Sequence, residues 1–174
     1  VKKLFKIIST TIICVSVLTN SIVATAAENQ IVKAPSKIFF NYLKENLIPY
    51  SEEDLKYMSS IIYCEAGNQC KAGQQAVGIV VMNRVENESF SNSVKEVLYE
   101  EGQFGPVITG WIEDILVMYE NNELPPECIS AAAYALRGEK TVCYEEEEIN
   151  LDSCLYFNSE LLNAKIRIQD HSFK

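Results

Sequence analysis

Apolar residues recur at helical spacing through most of this chain, and the pattern changes only after Gly138. Leu55, Met58, Ile61 and Ile62 give the segment from Glu52 one apolar face. Ser51 stands ready to cap it. Glu52, Glu53 and Asp54 fill the first turn, where carboxylates suit the unpaired amides and the helix dipole. This helix is expected to end near Glu65 to Gly67, with a loop over 67–73. A second helix is predicted from about Gln74 to Val85, with Ala76, Val77, Val80, Val81 and Val85 facing the core. Valine is only a fair helix former, so this many of them argue for burial. A short helix through Val94, Val97, Leu98 and Tyr99 follows, capped by Ser91 or Ser93.

Residues 102–110 read as a loop between glycines. Helices are then predicted over 109–120 and 126–137, the second with proline in its first turn and Gly138 just past its end. Ala131, Ala132, Ala133 and Ala135 suit close helix packing. Beyond Gly138, Glu145 to Glu148 reads as a solvated acidic loop that lacks the alternating ligand spacing of a calcium loop. Residues 154–157 and 165–168 alternate as two short strands. Upstream, 38–47 is a short amphipathic helix stopped near Pro49, preceded by a loose arm over 28–36. The class is α+β, mostly helical with a small late β element.

The start of the chain has a different logic. Lys2, Lys3 and Lys6 precede an apolar run from Ile7 to Leu18, and Ala24-Thr25-Ala26 has the small-x-small form of a signal peptidase site. The run is short against the roughly 20 residues of a bilayer-spanning helix. Export is expected, with residues 1–26 as signal peptide, 27–50 as linker and N-terminal helix, and 51–174 as one functional domain without a stable membrane span. A formal charge of −9 becomes more negative once the three leader lysines are removed. Such a surface is a poor match for nucleic acid. It also repels anionic polymers, so recognition is expected through neutral groups in a cleft.

One of the six cysteines, Cys14, lies in the leader. Cys64, Cys70, Cys128, Cys143 and Cys154 remain, an odd number in a compartment that permits disulfides. Proximity suggests Cys64 with Cys70 and Cys143 with Cys154. The spacing forms no paired knuckles and the chain has one histidine, so no metal site and no cofactor are expected.

Glu65 is the carboxylate with a distinctive setting. It follows the apolar stretch Ile61 to Tyr63, between two core helices, with small residues around it. Desolvation there favours the protonated form. Lifting a glutamate from about 4.3 to about 7 takes on the order of 3.7 kcal/mol.

Glu65-Ala66, Gly73-Gln74-Gln75-Ala76-Val77, Val80-Val81 and Asn83-Arg84-Val85 resemble the defining block of the SleB-type cell wall hydrolases. The resemblance continues in order through Phe90, Val94, Val97, Tyr99, Gly102-Gln103-Phe104, Gly110 and Trp111. It resumes at Ala132, Ala135, Gly138 and Leu155-Tyr156-Phe157-Asn158, and closes on His171-Ser172-Phe173. Gln169-Asp170 departs from it, standing where the family shows glycine and asparagine.

The resemblance implies a compact lysozyme-like, lytic-transglycosylase-like domain that cleaves peptidoglycan glycan strands, in cortex or vegetative wall, with Glu65 as the essential acid. Gln103, Phe104, Tyr156 and Asn158 are the substrate-binding candidates. Gln74, Asn83, Arg84 and His171 are the supporting ones, with Arg84 able to pair with the Glu65 region or with another carboxylate. The expected partner is the glycan strand, and an accessory or inhibitory wall protein is left open. Two rival readings are a thiol hydrolase using Cys64 with His171, and a wall protein that binds glycan without cutting it. An amidase on the stem peptide would need zinc ligands that the sequence does not offer.

Overall fold

In the computed structural model of this protein, the described residues are 50–160 and 162–174. The predicted leader, arm and first amphipathic helix lie outside them. Helix α1 (Glu52–Ala66) begins at Ser51 with a reciprocal capping box. Ser51 Oγ accepts from the Asp54 amide at 3.0 Å, and Asp54 Oδ2 accepts from the Ser51 amide at 3.1 Å.

Helix α2 (Lys71–Val85) starts a few residues earlier than the sequence pattern suggests. Gly73 is therefore helical, lying against the Gln69 side chain instead of marking a loop. From Ala72 to Val81 every residue of α2 is buried, which accounts for its valines. Gly78 sits at a helix crossing, where an added Cβ would lie 2.9 Å from Ala135 Cβ and 3.1 Å from Ile62 Cδ1. Only a residue without a side chain lets the backbones approach this closely.

Short helix α3 (Val94–Tyr99) is capped by Ser93, and a single turn, α4 (Gly105–Ile108), interrupts the loop expected over 102–110. Helices α5 (Trp111–Glu120) and α6 (Pro126–Leu136) complete the helical part, and Gly138 takes the left-handed conformation, φ 83°, after α6.

The late region is more ordered than its sequence suggests. Strands β1 (Thr141–Tyr144) and β2 (Glu147–Asn150) form a hairpin in which Tyr144 faces Glu147. The acidic run thus divides into a two-residue turn, Glu145 and Glu146 at φ 52° and 67°, and the start of a strand. Four like charges hid this alternation, because Ile149 is the one apolar residue of β2.

A second sheet has the order β3-β5-β4, from β3 (Phe157–Asn158), β4 (Ile166–Ile168) and β5 (His171–Phe173), all antiparallel. The strand expected over 154–157 is reduced to its last residue, while the Leu155 and Tyr156 amides donate to the Lys174 carbonyl.

Two buried clusters organise this body. One gathers Met58, Ile61 and Ile62 of α1 with residues of α2, α3, α5 and α6. The other joins Ala76, Ile79 and Val80 of α2 to Val142, Leu151, Ile168 and Phe173 of the β region. Helix α2 belongs to both, which explains why it is buried all round.

The expected disulfides are absent: Cys64, Cys70, Cys128, Cys143 and Cys154 are all free. Cys64 packs against the first cluster and Cys70 against the second. Cys143 points to solvent from β1 while Cys154 is buried. Neighbours in sequence are directed into different environments, so proximity along the chain was a poor guide. Among the described residues, no helix is long and apolar enough to cross a membrane.

Candidate active site

The last turn of α1, the end of α2, the 103–105 segment and the β3-β5 edge enclose a polar cleft of about 260 Å³. Glu65, Arg84, Gln103 and Phe104 line its helical side; Phe157, Asn158, Ser159 and His171 line the other. Glu65 is the one carboxylate among these lining residues.

Glu65 stands one position before the end of α1, next to fully buried Ala66. Burial raises its pKa above the ordinary carboxylate value, and the Arg84 charge opposes this with a smaller effect. The carbonyl end of a helix dipole also disfavours a negative charge there. Desolvation thus favours the protonated form, and the nearby cation works against it.

Arg84 is 4% exposed and directs Nε to the Leu155 carbonyl at 2.8 Å. Its guanidinium carbon lies 5.1 Å from the Phe104 ring centroid, 5.4 Å from Phe90 and 5.6 Å from Tyr156. This aromatic surround suits a delocalised, weakly hydrated cation. No carboxylate lies within 4 Å of it in an ion pair among the described residues. Arg84 is therefore a neighbour of Glu65 through space and an anchor of the chain leading into β3.

Asn83, a predicted supporting residue, lies outside the cleft and anchors the same segment. Its Nδ2 donates to the Leu151 and Cys154 carbonyls at 2.7 and 2.8 Å, and Lys140 Nζ donates to its Oδ1 at 2.8 Å.

The remaining candidates divide. Gln103 and Asn158 reach the cleft as expected. Phe104 does too, but it is 2% exposed, so it is a wall more than a contact surface. Tyr156 is not among the lining residues; its half-exposed ring covers Arg84 from the far side, beside Phe90. Phe157 takes the place expected for it, with its centroid 5.4 Å from that of His171. The alternation assumed for 154–157 does not extend to Tyr156, because the regular strand begins only at Phe157.

Gln74 belongs elsewhere, in a separate cavity with Gln69, Lys71 and Glu127. Ser159 went unrecognised in sequence, where only its place beside Asn158 could have suggested it. Its amide and hydroxyl donate to Asn158 Oδ1 at 2.7 and 3.2 Å.

His171 sits in the cleft wall with its Nδ1 buried and without a hydrogen-bond partner among the described residues. Burial lowers its pKa, and Asp170 partly offsets this, so the neutral imidazole is favoured. Cys64 lines a different cavity, with Tyr63, Gly67, Asn68 and Trp111. Burial, together with Glu65 and Cys128, pushes its thiol up to about 12. A thiol so protonated, in a different cavity from the only histidine, is a poor nucleophile.

A protein-family model described as Cell Wall Hydrolase matches residues 68–173, beginning just past Glu65. The spore cortex-lytic enzyme of Bacillus cereus is 38% identical over 63 residues, covering 36% of this chain and 24% of that protein. The same-named enzyme of Oceanobacillus iheyensis is 35% identical over 66 residues, 37% of this chain and 24% of its own length. The match thus spans about a quarter of these curated relatives. Among solved structures, the catalytic domain of the germination-specific lytic transglycosylase SleB from Bacillus anthracis aligns with TM-score 0.54 and 25% identity, covering 71% of this chain and 95% of that one. The catalytic domain of the Bacillus cereus SleB protein aligns with TM-score 0.55 over 84% of this chain and 98% of that one; at 21% identity it supports the fold.

Proposed function

Because this chain belongs to the cell wall hydrolase family, we propose that it cuts peptidoglycan glycan strands at the β-1,4 bond from N-acetylmuramic acid to N-acetylglucosamine. The observation that carries this reading is a lone, desolvated carboxyl, Glu65, in an open polar cleft. Protonated Glu65 donates to the bridging oxygen as the muramoyl ring gains oxocarbenium character. The carboxylate so formed then takes the proton of the muramoyl 6-hydroxyl, whose oxygen bonds to C1 of the same ring. The products are a free N-acetylglucosamine 4-hydroxyl and a 1,6-anhydromuramoyl end, and Glu65 has regained its proton.

A single acid suffices for both steps, whereas ordinary glycosidases place two carboxyls across the bond. The cleft lining offers one carboxylate, which favours the internal hydroxyl over activated water. Arg84 stabilises the transient carboxylate without an ion pair that would hold the acid ionised. The Gln103 and Asn158 amides both donate and accept, as N-acetyl groups and sugar hydroxyls require. Residues 1–26 complete the reading as a leader for export to the wall or cortex, and N-terminal sequencing of exported protein beginning at Ala27 tests that part.

The decisive experiment incubates the parent and Glu65→Gln with purified cortex and vegetative peptidoglycan and separates fragments by liquid chromatography and mass spectrometry. Anhydromuramoyl ends made by the parent alone support the proposal. Reducing muramic ends keep Glu65 but make the reaction hydrolysis. No cleavage by folded protein that still binds glycan overturns it in favour of a wall-binding protein.

A further inference from the structure

Where Glu65 and His171 face each other, the two walls of the cleft come from opposite ends of the folded sequence, and a set of polar bonds joins them just outside it. Gln69 follows the end of α1, four positions past Glu65, and is only 9% exposed. Its Nε2 donates to Asp170 Oδ2 at 3.0 Å, and its Oε1 accepts from the Asp170 amide at 3.2 Å. The pair is reciprocal, so a rotation of either side chain breaks both bonds. Next to it, Gln169 Oε1 accepts from the Cys70 amide at 2.5 Å, at the start of α2. Gln169 and Asp170 form the two-residue turn between β4 and β5, and His171 opens β5 directly after them.

Gln169 adopts φ 51°, a left-handed backbone that glycine takes more readily than glutamine. A strained residue that keeps a side chain here has a use for it, namely the Cys70 amide. Gln69 then supplies the partner for the Asp170 that follows. Both residues of the turn are thus bonded to the segment between α1 and α2.

We infer that Gln69 and Asp170, with Gln169 beside them, are positioning residues that fix the distance between Glu65 and the His171 wall, and so the width of the cleft. This inference rests on the reading of Glu65 as the acid. Neither Gln69 nor Asp170 lines the cleft, so neither touches the sugar. Their effect runs through the last turn of α1 on one side and β5 on the other. Small displacements of reacting groups are costly, since about 1 Å of misplacement can remove on the order of 100-fold in rate.

The chain has one histidine, so the imidazole signals in an NMR spectrum belong to His171 alone. Its charged surroundings are Asp170 on its own turn and Glu65 and Arg84 across the cleft. Gln69→Ala leaves all three charges in place. With the clamp opened, the imidazole is better hydrated and its titration moves up toward the ordinary range. Turnover of glycan falls about tenfold, with KM changed by less than about threefold. Asp170→Asn keeps an oxygen acceptor for Gln69 and retains activity within about threefold of the parent. Gln169→Gly relieves the backbone and remains folded, yet loses the Cys70 bond, and shifts both readouts the same way by less.

Parent-like titration and turnover in both Gln69→Ala and Gln169→Gly overturn the inference. A shifted titration with unchanged turnover also overturns it, since the clamp would then position nothing that reacts. If the parent itself cuts no glycan, the reading of Glu65 fails separately. The clamp is then judged by the titration alone: a His171 midpoint that moves up in Gln69→Ala and by less in Gln169→Gly, both of which leave Asp170 charged, sustains it, and parent-like midpoints in both reject it.

Discussion

The helical wall of the cleft and its β wall are held in place by different forces. Glu65 is carried by a helix whose inner face, Met58, Ile61 and Ile62, is fully buried, and it neighbours the equally buried α2. The β wall carries exposed Asn158 and Ser159; bonds from Asn83 and Arg84 tie down the segment leading into β3, and bonds with Gln69 and Cys70 tie down the β4-β5 turn. Burial shifts a protonation equilibrium, and directed bonds restrain the turn and segment they join. On the proposed reading, the acid stands on the drier side and the groups that meet the sugar stand on the wetter one.

Glu65→Gln makes the sharpest break between the two walls. Cleavage should fall by on the order of 10²- to 10⁴-fold, the range expected for a lost general acid, while glycan binding to the β wall persists. Rates on purified peptidoglycan, set beside a pull-down on the same material, check this. A parallel loss of binding would mean that the walls are not separable.

Gly78→Ala tests the burial side. The new methyl meets Ala135 Cβ and Ile62 Cδ1, neither of which is the end of a long flexible chain, so overpacking should cost about 1–3 kcal/mol. Urea unfolding should show a lower midpoint at unchanged slope.

Opposite pH dependences distinguish the walls further. Glu65 has a raised pKa in the folded state, so in the window above the ordinary carboxylate value the folded protein holds more protons than the unfolded chain. Its contribution to stability therefore falls as pH rises through that window. His171 has a lowered pKa, so below the ordinary imidazole value the unfolded chain binds more protons, and stability is lost as pH falls. The parent sums the two. Glu65→Gln should remove the alkaline loss and leave the acid loss, and His171→Asn should do the reverse. Thermal melts at stepped pH read both, and identical profiles for the two variants would contradict the division. The smallest effect is expected from Arg84→Gln, which removes the one opposing charge and moves the Glu65 titration further up.

The two walls also differed in how far the sequence disclosed them. Capping at Ser51, periodic apolar positions and a proline-to-glycine frame made α1, α5 and α6 legible, because each signal is local. The burial of Glu65 was legible from the apolar stretch before it, while its assignment as the acid came from the family resemblance. The β wall is assembled from contacts across the chain, such as Gln69 with Asp170, 101 positions apart. No local pattern encodes that pairing. Phe157 was passed over for Tyr156 because strand alternation was extended into a segment whose amides bond to the Lys174 carbonyl. The disulfides were inferred from spacing, which carries no information about which side of α2 a cysteine reaches. Arg84 was open between pairing with the Glu65 region and with another carboxylate; among the described residues it forms an ion pair with neither, and it lies in an aromatic surround that only the fold brings together.

The most direct test of the central claim is a carboxyl-carbon NMR titration of Glu65 in the folded parent, assigned by its loss in Glu65→Gln. A midpoint above the ordinary glutamate value, rising further in Arg84→Gln, is the result expected of an acid held protonated by burial. A midpoint at or below the ordinary value would show that the cleft stabilises the carboxylate, and Glu65 could not then serve as the proton donor.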